Sequence, residues 1–293
     1  MLGRVGIGAD LSPLAVRLTQ AKTSLPAKQE VLDEIAHLHD LIRSGVAEDD
    51  AGVSDKVRSF YHPDTLNEIL IAKRFLDRRL ASGSAGASVL WSVVAHILHG
   101  NRPYALSRRS HNIIPIPPKG ELVYKSLIGS ARSKVLRLYA RPFPQTCVRG
   151  EAHECDASRL ELAEPVDAII TSPPFLGTTE FLKQNWLRMW FAGWDRTAID
   201  TSLSGFLEYQ RNLRVYAGFF GRFRQLLREG GLMVLHLGVV KDVDMAKELT
   251  PLAVQAGFLK IGLVYEDARD LESHGRTDRG GTHTHQFLFM TAC

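Results

Sequence analysis

Cysteine is scarce in this 293-residue chain. Cys147, Cys155 and Cys293 are too few and too scattered for a disulfide framework or a zinc site, so a reducing cytoplasm is the expected setting. No apolar run approaches the ~20 residues that cross a bilayer, and the N-terminus carries no signal-peptide pattern; no membrane association is expected. Internal repeats are absent, and Ala81 to Ala87 (ASGSAGA) is the one short biased stretch. Neither sign of charge dominates: 36 Lys and Arg against 32 Asp and Glu leave a net charge of +4, with a pI near 9.0. Such a balance is compatible with a polyanionic partner without identifying one. His274, His283 and His285 lack the carboxylate or cysteine spacing of a metal site and read as polar loop residues, so no metal is expected. What remains is ordinary globular composition, 45% hydrophobic and 23% charged. It is enough for one substantial core and a smaller appended lobe.

The most informative stretch that is present is Thr171-Ser172-Pro173-Pro174-Phe175. It follows Val166-Asp167-Ala168-Ile169-Ile170, a short apolar run that reads as a buried parallel strand. Ligands bind at the carboxyl ends of such strands in open α/β sheets. Two prolines fix φ and remove two N–H donors, leaving neighbouring carbonyls to accept hydrogen bonds from a ligand. The aromatic ring that follows offers a stacking face. Rigid acceptors beside a flat ring suit the amino group of a planar base. Taken alone, a Ser-Pro-Pro turn is common and most often only a turn.

Strand and helix signals alternate on both sides of a different middle. Residues 4–9 form a strand-like run ending at Asp10, and Leu11-Ser12-Pro13 opens a helix with Ser12 as N-cap and Pro13 at its first position. From about 25 to 144 the pattern is mainly helical, with stretches at 28–44, 63–80 and 88–99. The segment 101–125 interleaves Arg102, Arg108, Arg109, His111 and Lys119 with proline and tyrosine, a mixture that suits a phosphate backbone and exposed bases. On charge alone, a solvated loop is an equal reading. A second basic stretch, Arg132 to Arg137, falls on the next helix. After the insert, 145–149 reads as a strand, a polar stretch carries Asp156, and 166–170 is the strand already described. Then follow a helix through Trp186 and Trp190, a long helix 206–229 closed by Gly230-Gly231, a buried strand 232–238, a helix 244–256, and strands 258–266 and 284–292. The pattern predicts an α/β fold.

With its flanks VDAIITSPPFLGTTEFLKQNWLRMWFAGW, the Ser-Pro-Pro-Phe segment resembles the motif of the amino-directed DNA methyltransferases, which read Asp, Asn or Ser, then Pro-Pro, then Tyr or Phe. GADLSPLAVRLTQAK (8–22) resembles the segment that follows the glycine loop in that family. The likeness runs over nearly the whole length and is most specific at 6–20, 166–194 and 230–289. It implies a Rossmann-like class I methyltransferase sheet, mostly parallel with an antiparallel strand near the C-terminus, plus an inserted, mainly helical lobe. Residues 1–24 and 145–293 would be the catalytic domain and 25–144 the DNA-contacting lobe. The implied cofactor is S-adenosyl-L-methionine, with Asp10 on the ribose, Asp156 on the adenine, and Leu11 and Thr171 beside them. The implied substrate is double-stranded DNA. Ser172 and the Pro173 carbonyl would accept from the amine of a flipped base, Pro174 would stiffen the turn, and Phe175 would stack on the base. Serine at 172 resembles the cytosine-N4 subgroup more than the adenine-N6 one. An RNA or protein methyltransferase and a non-catalytic DNA-binding remnant are the alternatives.

One departure from the family concerns the glycine-rich loop expected just before residues 4–20, together with the first strand of the sheet. Neither is present, and Gly6-Ile-Gly8 lies within the following strand. The expectations are a truncated reading frame or a complementing polypeptide that supplies the piece, an exposed sheet edge, and a cognate restriction endonuclease as a further partner. Cofactor affinity of the isolated chain is expected to be poor. Calorimetric titration checks this, and tight binding of S-adenosylmethionine would contradict it.

Overall fold

The structure, a computed structural model, describes residues 3–23, 25–45, 51–107, 114–141, 150–175, 181–194, 212–240, 243–267 and 282–293. The chain divides into two compact units. One comprises Met1–Gly8, Ser12–His153 and Phe181–Ile199, and the other Ala9–Leu11, Glu154–Glu180 and Asp200–Cys293. Among the described residues, no helix is long and apolar enough to cross a membrane.

The first unit is helical: α1 (Pro13–Thr23), α2 (Lys28–Arg43), α3 (Asp55–Arg58), α4 (Pro63–Ala81), α5 (Ala85–Ile97), α6 (Leu127–Leu138) and α7 (Phe181–Ala192). Local chemistry sets the starts. Ser12 Oγ accepts from the Ala15 N–H at 3.3 Å, and Pro13 needs no donor at the first position of α1. Ser84 and Ser126 cap α5 and α6 through the Ala87 and Gly129 amides. A shared core of Leu38, Ile69, Leu76, Trp91 and Phe191 holds these helices together. Gly86 lets α5 cross α2, because a Cβ there would lie 2.7 Å from the Glu30 carbonyl oxygen. Helices α1 and α7, which the sequence reading assigns to the catalytic part, contribute Leu14 and Phe191 to this core.

The second unit is built on a sheet. Its strands are β3 (Val166–Thr171), β4 (Leu227–Val240), β5 (Val243–Asp244), β6 (Phe258–Asp267) and β7 (Thr282–Ala292), and the order is β3-β4-β7-β6, with β5 on β4. Strand β3 runs parallel to β4, while β7 runs antiparallel to both β4 and β6. Three long strands therefore point one way and β7 lies against them. This is an α/β sheet, as the sequence pattern predicts, and Rossmann-like and mostly parallel with an antiparallel strand near the C-terminus, as the resemblance implies. Helices α8 (Tyr216–Leu226) and α9 (Met245–Gln255) cover one face. Met233, Leu235 and Leu237 of β4 bury there with Phe220, Met245 and Leu249. Gln286 of β7 ties the start of α9 to the sheet: its Oε1 accepts from the Ala246 N–H and its Nε2 donates to Asp244. A separate two-stranded sheet pairs β1 (Ile7–Asp10) with β2 (Glu151–Glu154).

Two expectations need correction, and a third falls outside the described residues. Strand β3 is not buried: Ile170 is 76% exposed, because it pairs with Val234 on the sheet face opposite the one that α8 and α9 cover; β3 is also the last described strand on its side of the sheet. The helix expected at 206–229 ends at Leu226, since Leu227 already pairs with Val166, and Gly230, at φ +70°, sits in an irregular stretch before the ladder resumes at Leu232. The strand expected at 145–149 lies outside the described residues apart from its surroundings, where β2 begins at Glu151.

An unpaired strand edge with an exposed isoleucine is a template for pairing. Ile170→Lys should therefore lower self-association of the purified chain, measured by sedimentation velocity. An unchanged distribution of species would contradict this reading of the edge.

Candidate active site at the end of β3

Thr171 is the last residue of β3 and pairs with Leu235. The chain then leaves the sheet as Ser172-Pro173-Pro174-Phe175. Ser172 is exposed, and the other three residues are half-buried. Tyr216 Oη of α8 donates to the Pro174 carbonyl at 3.4 Å. Burial raises the Tyr216 pKa, so this group remains a phenol and a donor. The Pro173 carbonyl accepts no hydrogen bond among the described residues.

Ser172 Oγ lies 3.2 Å from His236 Nδ1, and His236 Nε2 lies 3.0 Å from His285 Nδ1. The register explains the meeting. His236 faces Phe287, and His285 faces Gly238, so the two histidines are diagonal neighbours on one face of the β4–β7 ladder. That face is opposite Met233, Leu235 and Leu237. The His236 ring stacks on Phe287 at 4.8 Å and 11°. Phe175 meets it edge-on, at 5.6 Å and 73°, and leans on His285 at 6.1 Å. Gly238 makes room for this ring, because a Cβ there would lie 2.9 Å from Phe175 Cε2.

Burial, and next the neighbouring His285, pull the His236 pKa below its ordinary value, while Glu266 acts weakly the other way. His236 is therefore a neutral imidazole at pH 7, with one donor and one acceptor nitrogen. The Ser172–His236–His285 chain can run in either direction. A ligand amine that donates to Ser172 Oγ selects one of them: the hydroxyl proton turns to His236 Nδ1, and His236 Nε2–H donates to His285 Nδ1. The two histidines thereby turn an ambivalent hydroxyl into an acceptor.

The other predicted residues are placed as follows. Asp10 ends β1 and is exposed, with Leu11 half-buried after it. The Asp10 carbonyl accepts from the Cys155 N–H at 3.2 Å, so Asp10 and Asp156 stand at adjoining strand ends. Asp156 Oδ1 takes the Ser158 N–H at 2.8 Å and the Ser158 hydroxyl at 2.6 Å, capping the one-turn helix Ala157–Arg159. Arg102 and Lys119 are exposed in the helical unit. Arg108, Arg109 and His111 lie outside the described residues. Among the described residues no group of three or more His, Cys, Asp or Glu could hold a metal ion.

Sequence alone does not single out His236, and it sets His285 both among the loop histidines and at the start of the strand expected at 284–292. His285 in fact lies inside β7, which begins at Thr282. The available signal was a histidine in the polar phase of LMVLHLG; its partner depends on a pairing 49 residues away.

No family model matches the sequence, and neither does any curated protein. Solved structures give loose matches. A Thermoplasma acidophilum protein provisionally named a methyltransferase shares 11% identity over 55% of this chain and 53% of its own, at a TM-score of 0.30. The N-methyltransferase NodS from Bradyrhizobium japonicum WM9, crystallised with S-adenosyl-L-homocysteine, shares 10% identity over 56% of this chain and 62% of its own, at a TM-score of 0.31. A second NodS structure gives 9% identity over 55% of this chain and 67% of its own, at 0.28. The chain thus spans about half to two-thirds of these proteins. TM-scores this low support no functional conclusion.

Because Phe175 rests on Gly238, Gly238→Ala should push the ring off His236 and lower stability by about 1–3 kcal/mol through overpacking. Chemical denaturation measures the loss, and a stability equal to that of the unsubstituted protein would contradict this contact.

Proposed function

We propose that this protein transfers a methyl group from S-adenosylmethionine to an exocyclic amine of a base in double-stranded DNA, with cytosine N4 the favoured target. One observation carries the reading: an exposed serine hydroxyl and a proline carbonyl that accepts no hydrogen bond among the described residues stand together at the carboxyl end of β3, and a histidine pair is positioned to hold that hydroxyl as an acceptor. Asp10 and Asp156, at adjoining strand ends, would take the ribose and adenine of the cofactor, and Leu11 and Thr171 would complete its site. The fit is partial, since Asp156 Oδ1 already caps a turn. Bound S-adenosylmethionine would supply an electrophilic methyl group.

The residues of this chain then have distinct tasks. A target base must leave the duplex, at a cost of a few kcal/mol. Ser172 Oγ and the Pro173 carbonyl take the two N–H bonds of its amine, which turns the nitrogen lone pair out of conjugation with the ring. Pro174 keeps the turn stiff, and its carbonyl is anchored by Tyr216. Phe175 supports the base from the side it shares with His236. After transfer the nitrogen carries a surplus proton. Ser172 Oγ accepts it while passing its own to His236 Nδ1, and the Nε2 proton of His236 moves on to His285 Nδ1. The proposed partners are double-stranded DNA and a cognate restriction endonuclease; the proposed compartment is the cytoplasm.

Labelled cofactor offered with duplex DNA, RNA and protein tests the assignment. DNA should be labelled, on cytosine N4 in preference to adenine N6. Phe175→Ala should weaken capture of a mismatched target by about 1–3 kcal/mol, the worth of one base stack. Gel shift without methyl transfer would point instead to a non-catalytic DNA-binding remnant, and label on RNA or protein alone would overturn the substrate.

A further inference from the structure

The helical unit contains a cluster of positive charge for which the proposed chemistry has no use. A cavity of about 480 Å³ lies among α5, the segment after it, α6 and α7. Among the described residues its lining includes His96, Arg102, Tyr104, Lys134, Asn185 and Arg188, and no carboxylate. Arg188 is half-buried on α7, and its guanidinium donates to Asn185 Oδ1 at 2.9 Å. It forms no ion pair among the described residues, although burial makes its charge costly and pulls its pKa below the ordinary arginine value. Lys134 Nζ and Arg137 Cζ lie 5.6 and 5.8 Å from the Tyr104 ring centre, and Arg102 is exposed.

We propose that this cavity binds a phosphate group, with Arg188 at its base, Lys134 and Arg102 around it, and Asn185 orienting the Arg188 guanidinium. A phosphate supplies the negative charge that the cavity lacks and matches the fork of a guanidinium. The cavity has room for a phosphate with part of a nucleoside attached. The Tyr104 ring, which meets His96 at 6.1 Å, supplies a flat apolar neighbour for it. His96 reports on the charge of the site. Burial first, then Lys134, Arg188, Arg102 and Lys22, bring its pKa down to about 4. An anion among those cations would favour the charged imidazolium and move the value up. The phosphate could belong to a DNA backbone or to a free nucleotide. The site stands on residues of the helical unit alone, independently of what happens at the end of β3.

The test is an NMR titration of the His96 imidazole in the full chain, with inorganic phosphate as the probe. Phosphate should raise the midpoint of His96 from about 4 by a unit or more. Arg188→Gln and Arg102→Gln should each weaken phosphate binding about tenfold, with Arg188→Lys retaining more of it than Arg188→Gln. The exposed Arg102 keeps the test decisive if Arg188→Gln does not fold. Displacement of phosphate by duplex DNA would assign the site to the backbone, and the salt dependence of DNA binding should then fall by about one contact in Arg102→Gln. Displacement by a mononucleotide but not by duplex would assign it to a free nucleotide. A His96 midpoint that millimolar phosphate leaves unmoved, or affinity unchanged in both glutamine variants, would overturn the site.

Discussion

A serine hydroxyl has one proton and two lone pairs, and the direction of that proton decides what the end of β3 can do. Facing an incoming amine, the proton would repel; turned away, it leaves two lone pairs to receive. His236 Nδ1, 3.2 Å from Ser172 Oγ, supplies the place for it to turn. That nitrogen can accept because the ring is neutral, and the ring is neutral chiefly because it is part-buried between Phe175, Phe287 and His285. An aspartate or asparagine at this position needs no such help, since its side-chain oxygen only accepts. A serine does, and the aromatic packing around His236 provides it.

This arrangement is a product of the sheet. Parallel pairing of β3 with β4 brings Ser172 beside His236, and antiparallel pairing of β4 with β7 brings His285 to the far side of the same ring. Gly238 keeps the strand low enough for Phe175 to lie across it. The face opposite His236 buries against α8 and α9, so β4 cannot slip by one residue without exchanging the histidine for the core leucine at 235 or 237. The position of His236 is thus fixed by hydrophobic burial on the other side of its own strand.

Some of this was legible in the sequence. Ser12-Pro13 announces the start of α1, the apolar run 166–170 marks β3, LMVLHLG marks the centre of β4, and Gly257 closes α9, each through local backbone chemistry. The turn at 172–175 was legible because its prolines act locally. What stayed hidden depends on partners distant in sequence. The exposure of Ile170 follows from its place on the sheet face opposite α8 and α9, which no alternation pattern records. The histidine pair depends on register. The cavity around Arg188 joins residues of α5, α6 and α7, and in sequence Arg188 reads as one more charge on a helix rich in tryptophan.

The central claim is that His236 matters because it makes Ser172 an acceptor. The most direct measurement is the methyl-transfer rate of His236→Phe compared with His236→Phe combined with Ser172→Asn, whose amide oxygen accepts without assistance. The account predicts a loss of about 10²-fold in the single variant, on the scale of a positioned proton-handling group, and recovery of most of it in the double variant. A single variant as fast as the unsubstituted protein, or a double variant no faster than the single, would contradict it.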